Sequence, residues 1–199
     1  DVATTANKKE GNFILNGKKS FVLNGSESDL IIVPARTSGS QTDVKGITLF
    51  AVKKDSAGIE MNSYKSVDGR SAAEIKLNNV SVSSDSIIGE IDNGYDALEA
   101  TVDEATLAIC AEATGIMKSL HDKTVEYSKN RVQFGIPIGG FQALQHRMVD
   151  TLMACEETES ILLWAITTEQ DDKSALKKAI SGLKYQIGTA GTVSYTHLR

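Results

Sequence analysis

The hydrophobic period changes near residue 92, and that change constrains the fold more than any other feature of this chain. Before it, short apolar runs alternate with turn residues. Beyond it, apolar residues return at threes and fours. A pleated strand repeats its faces every two residues and a helix every 3.6, so the two patterns need different elements. The expectation is an α+β protein: an antiparallel β-barrel or sandwich over residues 1–90, then long antiparallel helices of a truncated four-helix bundle over 91–190.

In the first region Phe13-Ile14-Leu15 precedes Asn16-Gly17, and Ser20-Phe21-Val22-Leu23 precedes Asn24-Gly25. Asn-Gly between apolar runs predicts hairpin turns, because both residues tolerate positive φ. Leu30-Ile31-Ile32-Val33 is continuous and predicts a strand buried on both faces, with Pro34 ending the pairing or sitting at an edge. Residues 37–45 are polar and predict a loop. Ile47 to Val52 and Ile59 to Met61 predict further strands. Ala73, Ile75 and Leu77 alternate with Glu74 and Lys76, as on a strand with one buried face. Val67-Asp68-Gly69-Arg70 reads as the turn before it.

In the second region Leu98, Val102, Ala105, Ile109, Ala113, Ile116, Leu120 and Tyr127 mark a stripe on a helix that lasts to about Asn130. Loop chemistry follows, with Gly135, Pro137, Gly139 and Gly140. Phe141, Leu144, Met148, Leu152, Cys155, Leu162 and Ile166 restart the period. Leu176, Ile180, Leu183 and Ile187 mark a third helix, and Asp171-Asp172 suits its N-terminus. That pattern is expected to collapse at Gly188-Thr189-Ala190-Gly191. Residues 191–199 show no helical period and read as a non-native tail.

Composition narrows the function. Apolar residues make up 41% and charged residues 24%, as in ordinary globular proteins. The net charge of -5 argues against nucleic acid as a partner. No apolar run approaches the roughly 20 residues of a membrane span. Cys110 and Cys155 fall within helical patterns and read as small buried thiols, which suits a reduced, cytoplasmic setting. Nothing has metal-ligand spacing, and no Gly-x-Gly-x-x-Gly run supports a Rossmann dinucleotide site. His146 reads as a satisfied structural histidine.

The segment between the two long helices runs Arg131-Val132-Gln133-Phe134-Gly135-Ile136-Pro137-Ile138, with Gln142 eleven residues after the Arg. It resembles the acyl-CoA dehydrogenase family, which has Arg-x-x-Phe-Gly between two long helices of its C-terminal bundle. Asn16-Gly17-Lys18-Lys19-Ser20-Phe21-Val22-Leu23-Asn24 is similar to that family's Asn-Gly-x-Lys-x-aromatic-Ile-Thr-Asn. Gly115 matches a Gly of its first long bundle helix. The resemblance covers the chain to about residue 187. Cys110-Ala111-Glu112-Ala113 and Phe141-Gln142-Ala143-Leu144-Gln145-His146 look most like the small subunit of pimeloyl-CoA dehydrogenase-type members.

The resemblance implies roles. Arg131 would meet the diphosphate of an FAD bound mainly by a neighbouring subunit, since its planar fork suits phosphate oxygens. The competing reading is a solvated cation at a helix C-terminus. Gln142 would hydrogen-bond the same cofactor, with Gln133 and Phe134 beside it, although Phe134 could equally be core. Phe21, Val22 and Leu23 would lie against the flavin ring, although a plain buried strand competes. Leu23 replaces a Thr of the family and lacks its hydroxyl. Asp103 would touch the acyl-CoA substrate, but Thr106 stands where the family commonly has Arg, and Asp103 with Glu104 could form a solvated helix face.

The implied reaction introduces an α,β double bond into an acyl-CoA thioester and needs a carboxylate near the α-carbon. In most relatives a Glu well beyond residue 199 serves; in some it stands at the position held here by Ala105. Glu104 is one residue away, which turns it by about 100° on a helix. The implied protein is thus an internal piece of an FAD-dependent dehydrogenase, inactive alone, working as a homo- or hetero-oligomer and passing electrons to an electron-transfer flavoprotein. Two other readings keep the fold: a non-catalytic partner subunit of a heteromeric enzyme, and an acyl-CoA oxidase, which would yield peroxide.

Overall fold

The first strand pair turns where the side chains are least apolar. In the computed structural model, which describes residues 2–168 and 172–197, β1 (Thr5–Lys9) and β2 (Asn12–Leu23) pair antiparallel with Lys9 opposite Asn12. The two-residue turn is Glu10-Gly11, both at positive φ (49° and 85°), the handedness a tight hairpin requires. The expected hairpin at Asn16-Gly17 is therefore not a turn: both residues lie inside β2, at a register shift against β6 (Ser71–Ser83). A Cβ at Gly17 would stand 2.8 Å from Thr4, so this glycine permits a close backbone approach rather than a reversal. Asn24-Gly25 does turn the chain, but between strands that are not neighbours.

The remaining strands are β3 (Leu30–Arg36), β4 (Ile47–Lys53), β5 (Ile59–Lys65) and β7 (Ile87–Ile88). The seven form one sheet in the order β5-β6-β2-β1-β3-β4-β7, antiparallel except where β1 meets β3 at Thr5 and Arg36. That makes it a mixed sheet, where an all-antiparallel one was expected. Its core is contributed by alternate residues: Phe13 and Leu15 from β2, Ile31 and Val33 from β3, Phe50 and Val52 from β4, Ile75, Leu77, Val80 and Val82 from β6. Phe13 and Phe50 meet with ring centroids 5.2 Å apart. Fully burying each large side chain contributes about 1.5–3 kcal/mol.

The run Leu30 to Val33 is buried on one face only: Ile31 and Val33 point inward, while Leu30 and Ile32 are half exposed. Pro34 stands within β3, opposite Leu49, rather than at its end. Since β1 reaches β3 only at Arg36, the missing N–H costs no pairing on that side. The turn at Val67 to Arg70 is as expected. The Ser66 hydroxyl and the Arg70 backbone N–H both donate to the Asp68 carboxylate, which these bonds hold below the usual carboxylate range.

The chain divides into two units, Asp1–Ala100 and Thr101–Arg199. The second is built from α1 (Tyr95–Asn130), α2 (Gln142–Thr167) and α3 (Lys173–His197). Helices α1 and α2 run antiparallel: Lys118 bonds Glu159 at 3.2 Å, His121 bonds Thr151 at 3.1 Å, and Ser128 meets the Met148 sulfur at 3.4 Å. Between α2 and α3, Gln186 donates to Glu157 at 3.0 Å and Cys155 clusters with Ala190 and Met117. Cys110, Ala165, Ala179 and Leu183 form a second small core. Both thiols are free and buried, and burial raises their pKa values.

Three expectations fail in this unit. The stripe Val102, Ile109, Ile116 and Tyr127 does not face the core: all four are more than half exposed, and α1 buries Cys110, Thr114, Met117 and Ser128 instead. Helix α3 does not collapse at Gly188. It runs on to His197 and buries Ala190 and Ser194, which follow Leu183 and Ile187 at helical spacing. His146 is exposed and, among the described residues, has no hydrogen-bond partner. Asp172 accepts the Ala175 N–H at 3.0 Å and caps α3, whereas Asp171 lies outside the described residues.

Candidate functional site

The segment joining α1 to α2 is not an open loop. Val132–Gln133 and Ile136–Pro137 form a two-stranded hairpin, β8 and β9, and Phe134-Gly135 turns it with both φ values positive (55° and 80°). Gly135 suits that turn; Phe134, with a Cβ, holds a left-handed conformation that is uncommon for an aromatic. The base of the hairpin is tied by the Ile138 N–H to the Arg131 carbonyl at 2.8 Å, and Arg131 N–H continues the helix to Tyr127 O at 2.9 Å. A short 3₁₀ turn at Ile138–Gly140 then leads into α2.

This geometry gathers four of the expected site residues on one projection. Arg131 is exposed at the end of α1, and among the described residues its guanidinium has no hydrogen-bond or ion-pair partner. Gln133 is exposed on β8. Gln142 is exposed as the first residue of α2, while Gln145, one turn on, is tied to Gly139 O at 2.9 Å. Phe134 is 92% exposed, which excludes the core-packing reading; its ring meets Phe141 edge-on at 6.2 Å. Beside the hairpin an apolar cleft of about 580 Å³ is lined by His121, Val125, Met148, Val149 and Leu152. Among the described residues, a guanidinium without an ion-pair partner and two exposed amides on the same connection are donors suited to phosphate oxygens.

A second group of expected residues lies in the sheet unit. Phe21 has φ 53° and is 55% exposed; Leu23 is half exposed, and Val22 packs against the core. The segment is therefore not a plain buried strand. Between the pairs Lys19↔Ile75 and Val22↔Ala73, the residues Ser20 and Phe21 face the single residue Glu74, a β-bulge. Lys19 projects to the core side, where its ammonium donates to Pro34 O at 2.7 Å; burial lowers its pKa from 10.5 to about 8. The Pro34 bond favours the charged form, but one neutral acceptor does not offset the lost hydration. Neither Lys19 nor Glu74 was expected at the site. Period-two alternation places Glu74 on the solvent face and carries no sign of a bulge.

On α1, Asp103 and Thr106 are half-buried and three residues apart, so they share a helix face. The Thr106 hydroxyl is taken up by its own helix, donating to Val102 O at 2.7 Å. Glu104 is exposed. Among the described residues no three His, Cys, Asp or Glu side chains are grouped to hold a metal, and no helix is long and apolar enough to cross a membrane.

Comparison with known proteins defines the class. Residues 1–80 match the acyl-CoA dehydrogenase middle domain and residues 92–194 match the acyl-CoA dehydrogenase C-terminal domain. The chain belongs to the acyl-CoA dehydrogenase family.

Among relatives, a 3-(aryl)acrylate reductase of Clostridium sporogenes is 36% identical over 152 residues, covering 75% of this chain and 40% of its own length. A short-chain specific acyl-CoA dehydrogenase of Megasphaera elsdenii is 31% identical over 174 residues, covering 85% and 45%. Among solved structures, PigA with FAD and proline superposes with a TM-score of 0.92 at 26% identity, over 99% of this chain and 52% of that one. The chain thus spans less than half the length of these curated relatives.

Proposed function

We propose that this chain forms the flavin-facing strand and the phosphate-facing hairpin of an FAD-dependent acyl-CoA dehydrogenase, a larger protein that introduces an α,β double bond into an acyl-CoA thioester. The observation that carries the reading is Arg131: a guanidinium exposed and, among the described residues, without a partner, at the base of a hairpin between antiparallel helices whose segment also carries Gln133 and Gln142. Bound FAD would supply the two-electron acceptor. Arg131 would neutralise diphosphate charge, and the two glutamines would donate to the same cofactor. Phe134 would shield it from water. Phe21, Val22 and Leu23 would offer an apolar edge to the ring system, and Asp103 with Thr106 would face the acyl-CoA.

The general base lies outside this chain in this reading, because Glu104 is exposed and one helix step from the family position. The hairpin serves FAD held by another subunit, so the working enzyme is an oligomer that hands electrons to an electron-transfer flavoprotein.

The test is direct. The chain alone should bind FAD weakly and show no turnover of short acyl-CoA thioesters with a dye acceptor. Arg131→Ala should weaken FAD binding by about tenfold or more, as loss of a charge-assisted bond does. Equal affinity in the variant and the parent would sink the assignment of Arg131. Measurable dehydrogenation by residues 1–187 would sink the division of labour.

The departures at Leu23 and Thr106 favour one further reading, a partner subunit that lends Arg131 and Gln142 to another chain's FAD. Co-expression with a candidate large subunit tests it: a yellow, active homo-oligomer of the complete protein alone would refute it.

A further inference from the structure

We propose that Glu74 is a positioning residue for the flavin-facing segment, holding the bulge that presents Phe21 and Leu23; the inference rests on the flavin reading above. Period-two pairing between β2 and β6 is interrupted twice, at Leu15/Gly17 and again between Lys19 and Val22. At the second, Ser20 and Phe21 together oppose Glu74, and the extra residue leaves β2 with a backbone N–H outside the ladder. The Glu74 carboxylate takes up that N–H: Phe21 N donates to Oε1 at 3.2 Å, and Ser20 Oγ donates to Oε2 at 3.1 Å. Lys18 completes the set with an ion pair to Oε2 at 2.6 Å, and the Tyr64 hydroxyl stands 3.5 Å from Oε1.

Phe21 sits in the left-handed region, where an aromatic side chain is strained, so something must hold it there. Two side chains do so from opposite faces of the sheet. Glu74 binds the outer face of the bulge. Lys19, inside, ties the same stretch to β3 through Pro34 O. Without the bulge, Phe21 and Leu23, two residues apart, would share the core face that Lys19 takes; with it, Val22 packs against the core and both Phe21 and Leu23 stay half exposed. An exposed aromatic ring and leucine side by side suit an apolar wall for a planar ring system.

The experiment is an amide-resolved NMR titration of the 199-residue chain with FAD, comparing the parent with Glu74→Ala and Glu74→Gln. In the parent, FAD should shift the amides of Phe21, Val22 and Leu23, and those near Arg131 and Gln142. In Glu74→Ala the response at residues 21–23 should weaken by about tenfold, the loss expected of a charged acceptor, while the response at Arg131 and Gln142 persists. Glu74→Gln keeps an oxygen acceptor for Phe21 N–H and should retain most of the response, which separates positioning from general loss of the fold.

An unchanged response at residues 21–23 in Glu74→Ala would overturn this inference alone, leaving the flavin reading standing. A parent that responds at Arg131 but not at residues 21–23 would overturn the placing of the ring against β2, and this inference with it. No response anywhere in the parent at millimolar FAD would overturn both.

Discussion

The sheet unit and the helical unit spend similar numbers of apolar residues and end with different interiors. The sheet closes over Phe13, Leu15, Phe50, Val52, Ile75 and Leu77, all at 3% exposure or less. The helices bury cysteines, alanines and threonines, together with Met117, Ile180 and Leu183, while Val102, Ile109, Ile116, Leu163, Trp164 and Ile166 stay open. The sheet buries its large side chains in one core and leaves a few open, among them Phe21, Leu23, Leu30 and Ile32. The helical unit displays apolar rows that its own three helices do not cover. A helix has several possible faces, and a strand in a sheet with one core has two, so the same kind of stripe is a stronger statement about burial in the sheet than in the helices.

The largest effect that would break this comparison is in the sheet. Phe50→Ala removes a fully buried ring that contacts Phe13, and should cost about 3–5 kcal/mol. Hydrogen exchange followed on separate peptides is the right readout, since two units need not unfold together. Protection should fall across β2, β3, β4 and β6, while the fluorescence of Trp164, the chain's one tryptophan, keeps its unfolding midpoint. A shift of both units together would show that they are one cooperative body.

The same contrast explains what was legible. Strand positions from Ile47 to Val52 and from Ala72 to Leu77 follow from alternation, and the long helices follow from their 3.6 period. The failures share a cause: each needed a non-local partner. Asn16-Gly17 looks like a turn until Thr4 lies against Gly17. The strand β1 is polar along its length and buries only Ala6, so no apolar run announces it. The stripe on α1 names a real apolar face, but burial went to the row holding Cys110, Thr114 and Met117, which the shorter side chains of α2 and α3 can approach closely. At the candidate site, Arg131, Phe134 and Gln142 were readable because one short segment carries them. Glu74 was not, because its role depends on a bulge 53 residues away in sequence.

A smaller effect sharpens the sheet side. Lys19 carries its ammonium into the core face at a folded pKa of about 8, against 10.5 when solvated. Between those values the unfolded chain binds the proton and the native chain does not, so native stability rises as pH rises through this window. Partial exposure limits the gain to about 1–2 kcal/mol. Urea midpoints of the sheet unit measured at pH 7 and pH 10 should therefore climb more steeply in the parent than in Lys19→Met, once the background slope of the variant is subtracted. Parallel slopes would mean that the ammonium keeps its water.

The smallest expected effect tests the helical side. Ile109 is 58% exposed, in line with Val102 and Ile116 one heptad to either side. If the chain by itself leaves this row open, Ile109→Gln should change the stability of the helical unit by no more than about 0.5 kcal/mol, because it exchanges one solvated helix former for another. Trp164 fluorescence reports the unit, and the measurement should be made over a range of protein concentration. A large loss at high protein concentration, shrinking on dilution, would mean that another copy of the chain covers the row in solution, since only an association equilibrium makes a midpoint depend on concentration. A null result at every concentration leaves the row free for elements that this chain does not contain. The difference between the two units would then lie in their interiors, large side chains in the sheet and small ones between the helices.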